Sequence, residues 1–264
     1  MISRKALTVL TTVILLLASC GGDKQKKELS FTIQGTLANA ENKMLYIEEM
    51  TPDNGPRFLD SIKCDKEGKF KYKGSMDYQT FFNLHCGEYN YIVILPSDGE
   101  VIRVAGDANM LDKSYRIEGS PESQLMWQIQ NYINDANSVI ADLAQQDNLN
   151  RETLNENDYA IAHQKTDSLF LAERSTTYMM FYNFIEDHLG SLTTLYAIDA
   201  PFNHTNRVFY PQIDLPVFSM VLDGLLEKEP NNPHTQFYQA YVERLRSAQM
   251  LQQTHELKIE NCDL

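Results

Sequence analysis

Residues 65–74 read Asp65-Lys66-Glu67-Gly68-Lys69-Phe70-Lys71-Tyr72-Lys73-Gly74. After Gly68 the lysines alternate with aromatic side chains, and a period of two is typical of a strand with one buried and one solvated face. Gly68 suits a positive-φ position, so the four residues that end on it have the chemistry of a hairpin turn. The lysines also discourage pairing with the strand edge of another molecule. The stretch predicts half-buried strands in an antiparallel sheet.

The same alternation extends over residues 29–119, which we expect to form a β-sandwich-like domain. Phe31 and Ile33 face one way while Thr32 and Gln34 face the other. Residues 91–95 are apolar on both faces, as in the interior of a sandwich. We expect eight strands, at 29–36, 43–50, 57–64, 68–74, 79–86, 90–95, 100–105 and 114–119.

The period changes to that of helices at Ser120. Ser120, Pro121 and Glu122 are an N-cap, a first-turn proline and a first-turn acid. Gly190 has the position of a helix-terminating C′ glycine. We expect helices at 121–146, 151–189, 191–200, 217–229 and 233–256. The fold class is therefore α+β, an N-terminal antiparallel β-sandwich-like domain followed by an α-helical domain at 120–257 and a C-terminal tail at 258–264.

Residues 1–19 have the pattern of a signal peptide. Arg4 and Lys5 precede an apolar run at 7–17 that is too short to span a membrane. The run ends in Leu17-Ala18-Ser19-Cys20, which resembles the bacterial lipobox, and the resemblance implies acylation of Cys20. Residues 20–28 are polar and are interpreted as a flexible tether. We therefore expect a membrane as one partner, reached through a lipid on Cys20.

Charge and cysteine content exclude several function classes. The 264-residue chain has 36 acidic against 23 basic side chains and a net charge of −13, which argues against nucleic acid as a partner. Beyond Cys20 it has Cys64, Cys86 and Cys262, with no C-x-x-C spacing for a dithiol centre or a zinc site. Cys64 and Cys86 lie at the ends of predicted strands. Whether they pair stays open, although we favour buried free thiols.

No catalytic residue, cofactor site or metal site is predicted. His85 and Cys86 are neighbours on a strand and should face opposite ways, and His163 with Asp167 is interpreted as surface electrostatics on a helix. The loop around Asp107 lacks the spacing of a calcium site. The aromatic residues of the helical part are interpreted as packing: Tyr178, Phe181, Tyr182, Phe184, Tyr238 and Tyr241.

The β-rich part also resembles a known family. The pattern consists of Phe31-x-Ile33-x-Gly35, Leu45-Tyr46, Leu59-Asp60-Ser61-Ile62 and Asp65-x-x-Gly68-Lys69-Phe70-x-Tyr72-x-Gly74. It resembles the DUF4369-type N-terminal domain of Bacteroidetes envelope lipoproteins. In many relatives a helical stretch and a thioredoxin-like domain follow. Here the chain ends at Leu264, about where that domain would begin, and has no W-C-x-x-C motif, so the resemblance does not imply redox catalysis.

These observations lead to one functional expectation and one alternative. We expect a lipid-anchored cell-envelope protein, in the outer membrane, acting as a non-enzymatic binding or scaffolding module for a protein, peptide or glycan. The alternative is an accessory or truncated member of a thiol-disulfide oxidoreductase system. The sequence leaves open which face of the membrane the protein occupies.

Overall fold

A computed structural model describes residues 28–87, 90–203 and 205–260, with side chains of the last helix through residue 252. The predicted signal peptide (1–19), the lipidation site Cys20 and the tether up to residue 27 lie outside the described residues. Cys262 lies outside them as well.

In the part of the chain that the structure describes, eight strands form two four-stranded sheets. Sheet A has the order β4-β1-β7-β8 and sheet B the order β3-β2-β5-β6. The strands are β1 (Leu29–Ala38), β2 (Met44–Thr51), β3 (Gly55–Lys63), β4 (Lys69–Met76), β5 (Phe81–His85), β6 (Tyr91–Ile94), β7 (Val101–Asp107) and β8 (Arg116–Glu118). Together with the helices that follow, they confirm the predicted α+β class.

Strand β1 lies in the middle of sheet A and has two different kinds of neighbour. It pairs antiparallel with β4, where Ile33 is opposite Tyr72, and parallel with β7, where Ile33 is opposite Ile102. The parallel pair departs from the all-antiparallel arrangement of the expected sandwich. Hydrophobic alternation indicates which face a side chain occupies and contains no information about the strand's partner.

The inner faces of the two sheets form one core. Ile33 and Ile102 of sheet A and Leu45 and Phe82 of sheet B are fully buried there. Gly68 has a φ of +74°, as its turn position predicts. The alternating lysines of β4 lie on the opposite, solvated face, as predicted from residues 65–74.

The described residues form six helices: α1 (Leu111–Ser114), α2 (Pro121–Thr153), α3 (Glu156–Asp187), α4 (Thr193–Ile198), α5 (Leu215–Lys228) and α6 (Pro233–Glu260). Ser120 caps α2 as predicted, since its hydroxyl oxygen accepts a hydrogen bond from the Ser123 N–H at 3.3 Å. The predicted end of α2 at 146 is wrong, because the helix continues to Thr153. The next helix begins after Asn155, whose side-chain oxygen accepts a hydrogen bond from the Asp158 N–H at 3.1 Å. Helix α1 was not predicted, and α6 continues past the predicted boundary at 257.

The helices pack on the outer face of sheet B. Phe81, Val93 and Leu95 point away from the sandwich and join a second core with Phe181 and Phe218. None of the described helices combines the length and apolarity needed to cross a membrane. The outer face of sheet A has exposed side chains at alternate positions of all four strands. The two sheets therefore have different surroundings, helices for sheet B and solvent for sheet A.

Candidate functional site

A cavity of about 480 Å³ lies where the helices meet one end of sheet B. The sheet contributes the end of β2 and Phe81 of β5, and most of the rest of the wall comes from helices α4, α5 and α6. Asp199 and Arg207 come from the segment between α4 and α5. Such a cleft between two packed units is a common position for a ligand site.

Aromatic and aliphatic side chains form most of the cavity wall. Phe237 of α6 is 47% exposed, so one ring projects from the wall into solvent, whereas Phe81 and Phe218 are buried beneath it. The half-buried rings of Tyr196 and Tyr241 and the buried ring of Tyr238 also line the cavity. Rings that keep an exposed face in a concave site can stack against the flat apolar face of a ligand.

One ion pair lies among the lining residues. Arg207 donates to the Asp199 carboxylate, and both side chains are more than half exposed. Because solvent screens this pair, it adds little to stability. Its carboxylate oxygens and guanidinium N–H groups still offer both hydrogen-bond acceptors and donors next to the aromatic wall.

The start of α6 fixes the helical part to the sandwich. The Asn232 side-chain amide donates to the Gln79 carbonyl at 2.9 Å, and its oxygen accepts from the His234 N–H at 2.9 Å. The His234 ring lies 2.7 Å from the Thr80 hydroxyl and packs edge-on against Phe81. These contacts hold the helix end, and with it the cavity wall, against strand β5.

The Thr80 hydroxyl lies within hydrogen-bond distance of two groups, the Met50 carbonyl at 3.1 Å and the His234 Nε2 at 2.7 Å. Burial lowers the pKa of His234 to about 4 because the charged form would lose its hydration. His234 is therefore a neutral part of the cavity wall near neutral pH.

The predicted packing role of the aromatic residues is confirmed for most of them. Phe181, Phe184 and Tyr238 are buried, and the Tyr238 hydroxyl donates to the Phe218 carbonyl at 3.1 Å. Tyr178 and Tyr182 stack on each other beside the same core. Tyr238 and Tyr241 both contact the core and also line the cavity, so packing is not their whole role.

Cys64 and Cys86 are free thiols at one end of the sandwich. Cys64 is buried in the core, and Cys86 packs against it from a half-buried position. His85 lies on the other face of β5 with its ring 5.3 Å from the ring of Tyr46, so the predicted separation of His85 and Cys86 is confirmed. Burial raises the pKa of Cys86 to about 11 and also raises that of Cys64. Neither sulfur is activated as a thiolate nucleophile.

Native Cys86 should therefore react slowly with iodoacetamide. At pH 8 we expect alkylation about a hundredfold slower than for an unstructured cysteine, rising about tenfold per pH unit toward pH 11, because only the thiolate reacts. Peptide mass spectrometry separates Cys86 from the other cysteines, and the urea-unfolded chain is the control. Rapid alkylation of the native protein at pH 8 would contradict the buried thiol.

The other titratable clusters are structural. His163 contacts Asp167 at 3.9 Å, as its spacing predicts, but its closer partner is Asp147 of α2 at 2.8 Å. That contact raises the pKa of His163 and lowers that of Asp147. Asp107 accepts from the Asn109 N–H and the Asn39 side chain in a turn. Within the described parts of the chain, no three His, Cys, Asp or Glu side chains are placed to hold a metal ion.

Sequence reasoning did not identify the cavity. His234, Asp199 and Arg207 lie at chain positions without a motif, because the cavity forms where segments from β2, β5 and three helices meet. The one local signal near the site is the predicted helix at 233–256, whose start at Pro233 is confirmed.

Comparison with known proteins gives little beyond the β-rich part. No curated protein matches the chain. CBM25-2 of a β/α-amylase from Paenibacillus polymyxa is similar over 36% of this chain and 94% of that chain, with 14% identity and a TM-score of 0.25. (S)-allantoin synthase is similar over 40% of this chain and 47% of that chain, with 12% identity and a TM-score of 0.25. Likenesses this weak carry no argument about fold or function.

The β-rich domain predicted from the motifs between Phe31 and Gly74 is matched by a family model. The match begins two residues into β1, includes β2 to β8 and ends in the first turns of α2. Residues 31–126 match the family model of DUF4369, a domain of unknown function.

Proposed function

We propose that the protein is a lipid-anchored, non-enzymatic binding module of the cell envelope and that the aromatic cavity beside sheet B holds its ligand. The observation that carries this proposal is the 480 Å³ cavity itself, with one exposed aromatic ring and one ion pair among its lining residues. Concave sites lined by apolar side chains and a few polar groups are typical of ligand binding.

The lining restricts the ligand's chemistry. The apolar wall favours a flat or bulky apolar group, such as an aromatic peptide side chain or the apolar face of a sugar ring. Asp199 and Arg207 would hydrogen-bond to polar groups beside it, such as a peptide amide or adjacent sugar hydroxyls. Because this ion pair has no net charge, a neutral peptide or glycan segment fits better than a polyanion.

Truncation of Phe237 tests the site. Phe237→Ala removes the exposed ring without opening a core, so we expect normal folding and at least about tenfold weaker binding of any ligand found in a panel of neutral peptides and oligosaccharides. Titration calorimetry on the purified protein measures the affinity, and circular dichroism checks the fold.

Phe58→Ala is the matched control for this test. Phe58 is 60% exposed on the edge strand β3 and does not line the cavity. Binding that is equally strong in Phe237→Ala would place the ligand elsewhere. A panel without any binding ligand would count against the function as a binding module.

The lipid anchor is supported by the sequence pattern around Cys20. If Cys20 is acylated, intact mass spectrometry of membrane-extracted protein should show the chain from residue 20 with added acyl mass. Cys20→Ser should move the protein from the membrane to the soluble fraction, because multiple acyl chains are needed for stable anchoring. An unmodified Cys20 in the native host would remove this part of the proposal.

The alternative role in a thiol-disulfide system has less support in the described residues. Cys64 and Cys86 both have raised pKa values, whereas redox-active cysteines have lowered ones. If the protein takes part in thiol chemistry, these two residues are not suited to be the reacting groups. An accessory role would have to operate through binding of a redox partner.

A further inference from the structure

The exposed face of sheet A carries an unusual concentration of positive charge. Its outward positions include three lysines on β4 and one arginine on each of β7 and β8: Lys69, Lys71, Lys73, Arg103 and Arg116. All five are exposed. We call this surface the basic face.

The strand register brings these charges together. Gln34 of β1 is opposite Lys71 on one side and Arg103 on the other, so the two cations flank the same residue. Arg116 is opposite Ala105 on the next strand. Neighbouring strands are about 4.8 Å apart, so Lys71 and Arg103, two strand spacings apart, are separated by about 10 Å, close to the Debye length in physiological salt.

Few acids neutralise the basic face. Two acidic residues, Asp107 and Glu118, lie at the paired outward positions of β1, β4, β7 and β8, and Glu118 is directly opposite Arg103. Among the described residues, Lys69 pairs with Glu67, and no ion pair is found for the other four cations. Because the whole chain has a net charge of −13, its acids are concentrated on the remaining surface. The protein is strongly polarised.

The tether joins the fold on this same sheet. Strand β1 begins at Leu29, and residues 20–28 precede it directly. These nine residues span at most about 32 Å when fully extended, about the length of a ten-residue strand. Lys24, Lys26 and Lys27 add positive charge to the segment. If Cys20 is anchored in a bilayer, the tether is short enough to keep sheet A close to the headgroups.

We propose that the basic face of sheet A docks on an anionic lipid surface and orients the protein on its membrane. The surface is flat and cationic, and the phosphate headgroups of an anionic bilayer form a flat, negatively charged partner. The acidic remainder of the protein then points away from the bilayer. The cavity, which lies on the far side of sheet B among the helices, stays accessible to a ligand. Docking of the basic face does not depend on ligand binding in the cavity.

The test separates the basic face from the lipid anchor. All residues of both cores lie between Leu29 and Leu245, so the chain from residue 20 with Cys20→Ser keeps the fold and has no acyl chain. We expect it to float with vesicles containing about a third phosphatidylglycerol at low salt, and to be released by about 0.5 M NaCl. Vesicles of phosphatidylcholine alone should not bind it.

Charge reversal locates the contact. The Lys71→Glu/Lys73→Glu variant should bind anionic vesicles at least about 25-fold more weakly, since each cation near such a surface contributes about fivefold. The control, Lys165→Glu/Lys228→Glu, makes the same change in net charge at exposed positions on α3 and α5. Both variants keep the three tether lysines.

Each result decides the proposal. A large loss in the β4 variant with a small one in the control supports docking through sheet A. Equal losses in both variants would show that net charge alone or the tether drives binding, and would overturn it. Binding to soluble polyphosphate without binding to vesicles would overturn it in favour of a soluble polyanion. Because no peptide or glycan is involved, these outcomes are independent of the cavity's function.

Discussion

Gly35→Ala is expected to destabilise the protein by about 4 kcal/mol, which is at the upper end of single-residue effects. A Cβ atom at Gly35 would lie 1.8 Å from the Val104 carbonyl oxygen and 2.8 Å from its carbon. Both atoms belong to the backbone of β7, so relief requires β1 and β7 to move apart and disrupts their parallel pairing. Urea unfolding followed by circular dichroism measures the loss.

Gly87→Ala is the matched control. A Cβ atom there would meet nothing within 4 Å, and Gly87 has no positive φ. We expect its free energy of unfolding to change by less than about 0.5 kcal/mol. A Gly35→Ala variant as stable as Gly87→Ala would show that β1 and β7 are not packed as closely as the structure indicates.

Acidification should destabilise the protein through His234. The pKa of His234 is about 4 in the folded state, and a histidine in an unfolded chain has a pKa near 6.5. Between these values the unfolded chain binds a proton that the folded protein does not. The free energy of unfolding should therefore fall by up to about 3 kcal/mol as the pH drops from about 6.5 to 4, with no further loss from this group below that.

His234→Gln isolates this contribution. The variant lacks the titrating ring, so the difference between its pH–stability curve and that of the unsubstituted protein should contain the His234 contribution alone. His163 has a raised pKa in the folded protein, so its contribution to the free energy of unfolding is fully present below about pH 6.5. That contribution therefore does not change between pH 6.5 and 4. Parallel curves for the two proteins between pH 4 and 6.5 would contradict a buried, neutral His234.

Local patterns predicted the strands and helices well because each depends on neighbouring residues. The alternation after Gly68 gave β4, and Ser120-Pro121 gave the start of α2. The parallel pairing of β1 with β7 could not be predicted in this way. It depends on contacts such as Ile33 with Ile102, between segments that no local period connects.

The candidate site could not be predicted for a related reason. Phe81 lies in the predicted strand at 79–86, but it points out of the sandwich and into the helical core. Tyr241 has the helical spacing of a packing residue and also faces the cavity. Both roles are decided by the way the helices sit on sheet B, and that arrangement depends on long-range hydrogen bonds such as Asn232 to Gln79.

The position of β1 also has a consequence for how the chain folds during synthesis. β1 is the first strand to emerge, yet its neighbour β7 comes much later, and even the contact of the Ser30 N–H with Asp98 spans 68 positions. Closing so long a loop is entropically unfavourable and slows folding. Sheet A cannot be completed until β8 has been made, so β1 should be vulnerable to proteases and to aggregation until then. An export route that keeps the chain unfolded until translation is complete would suit this order of strands.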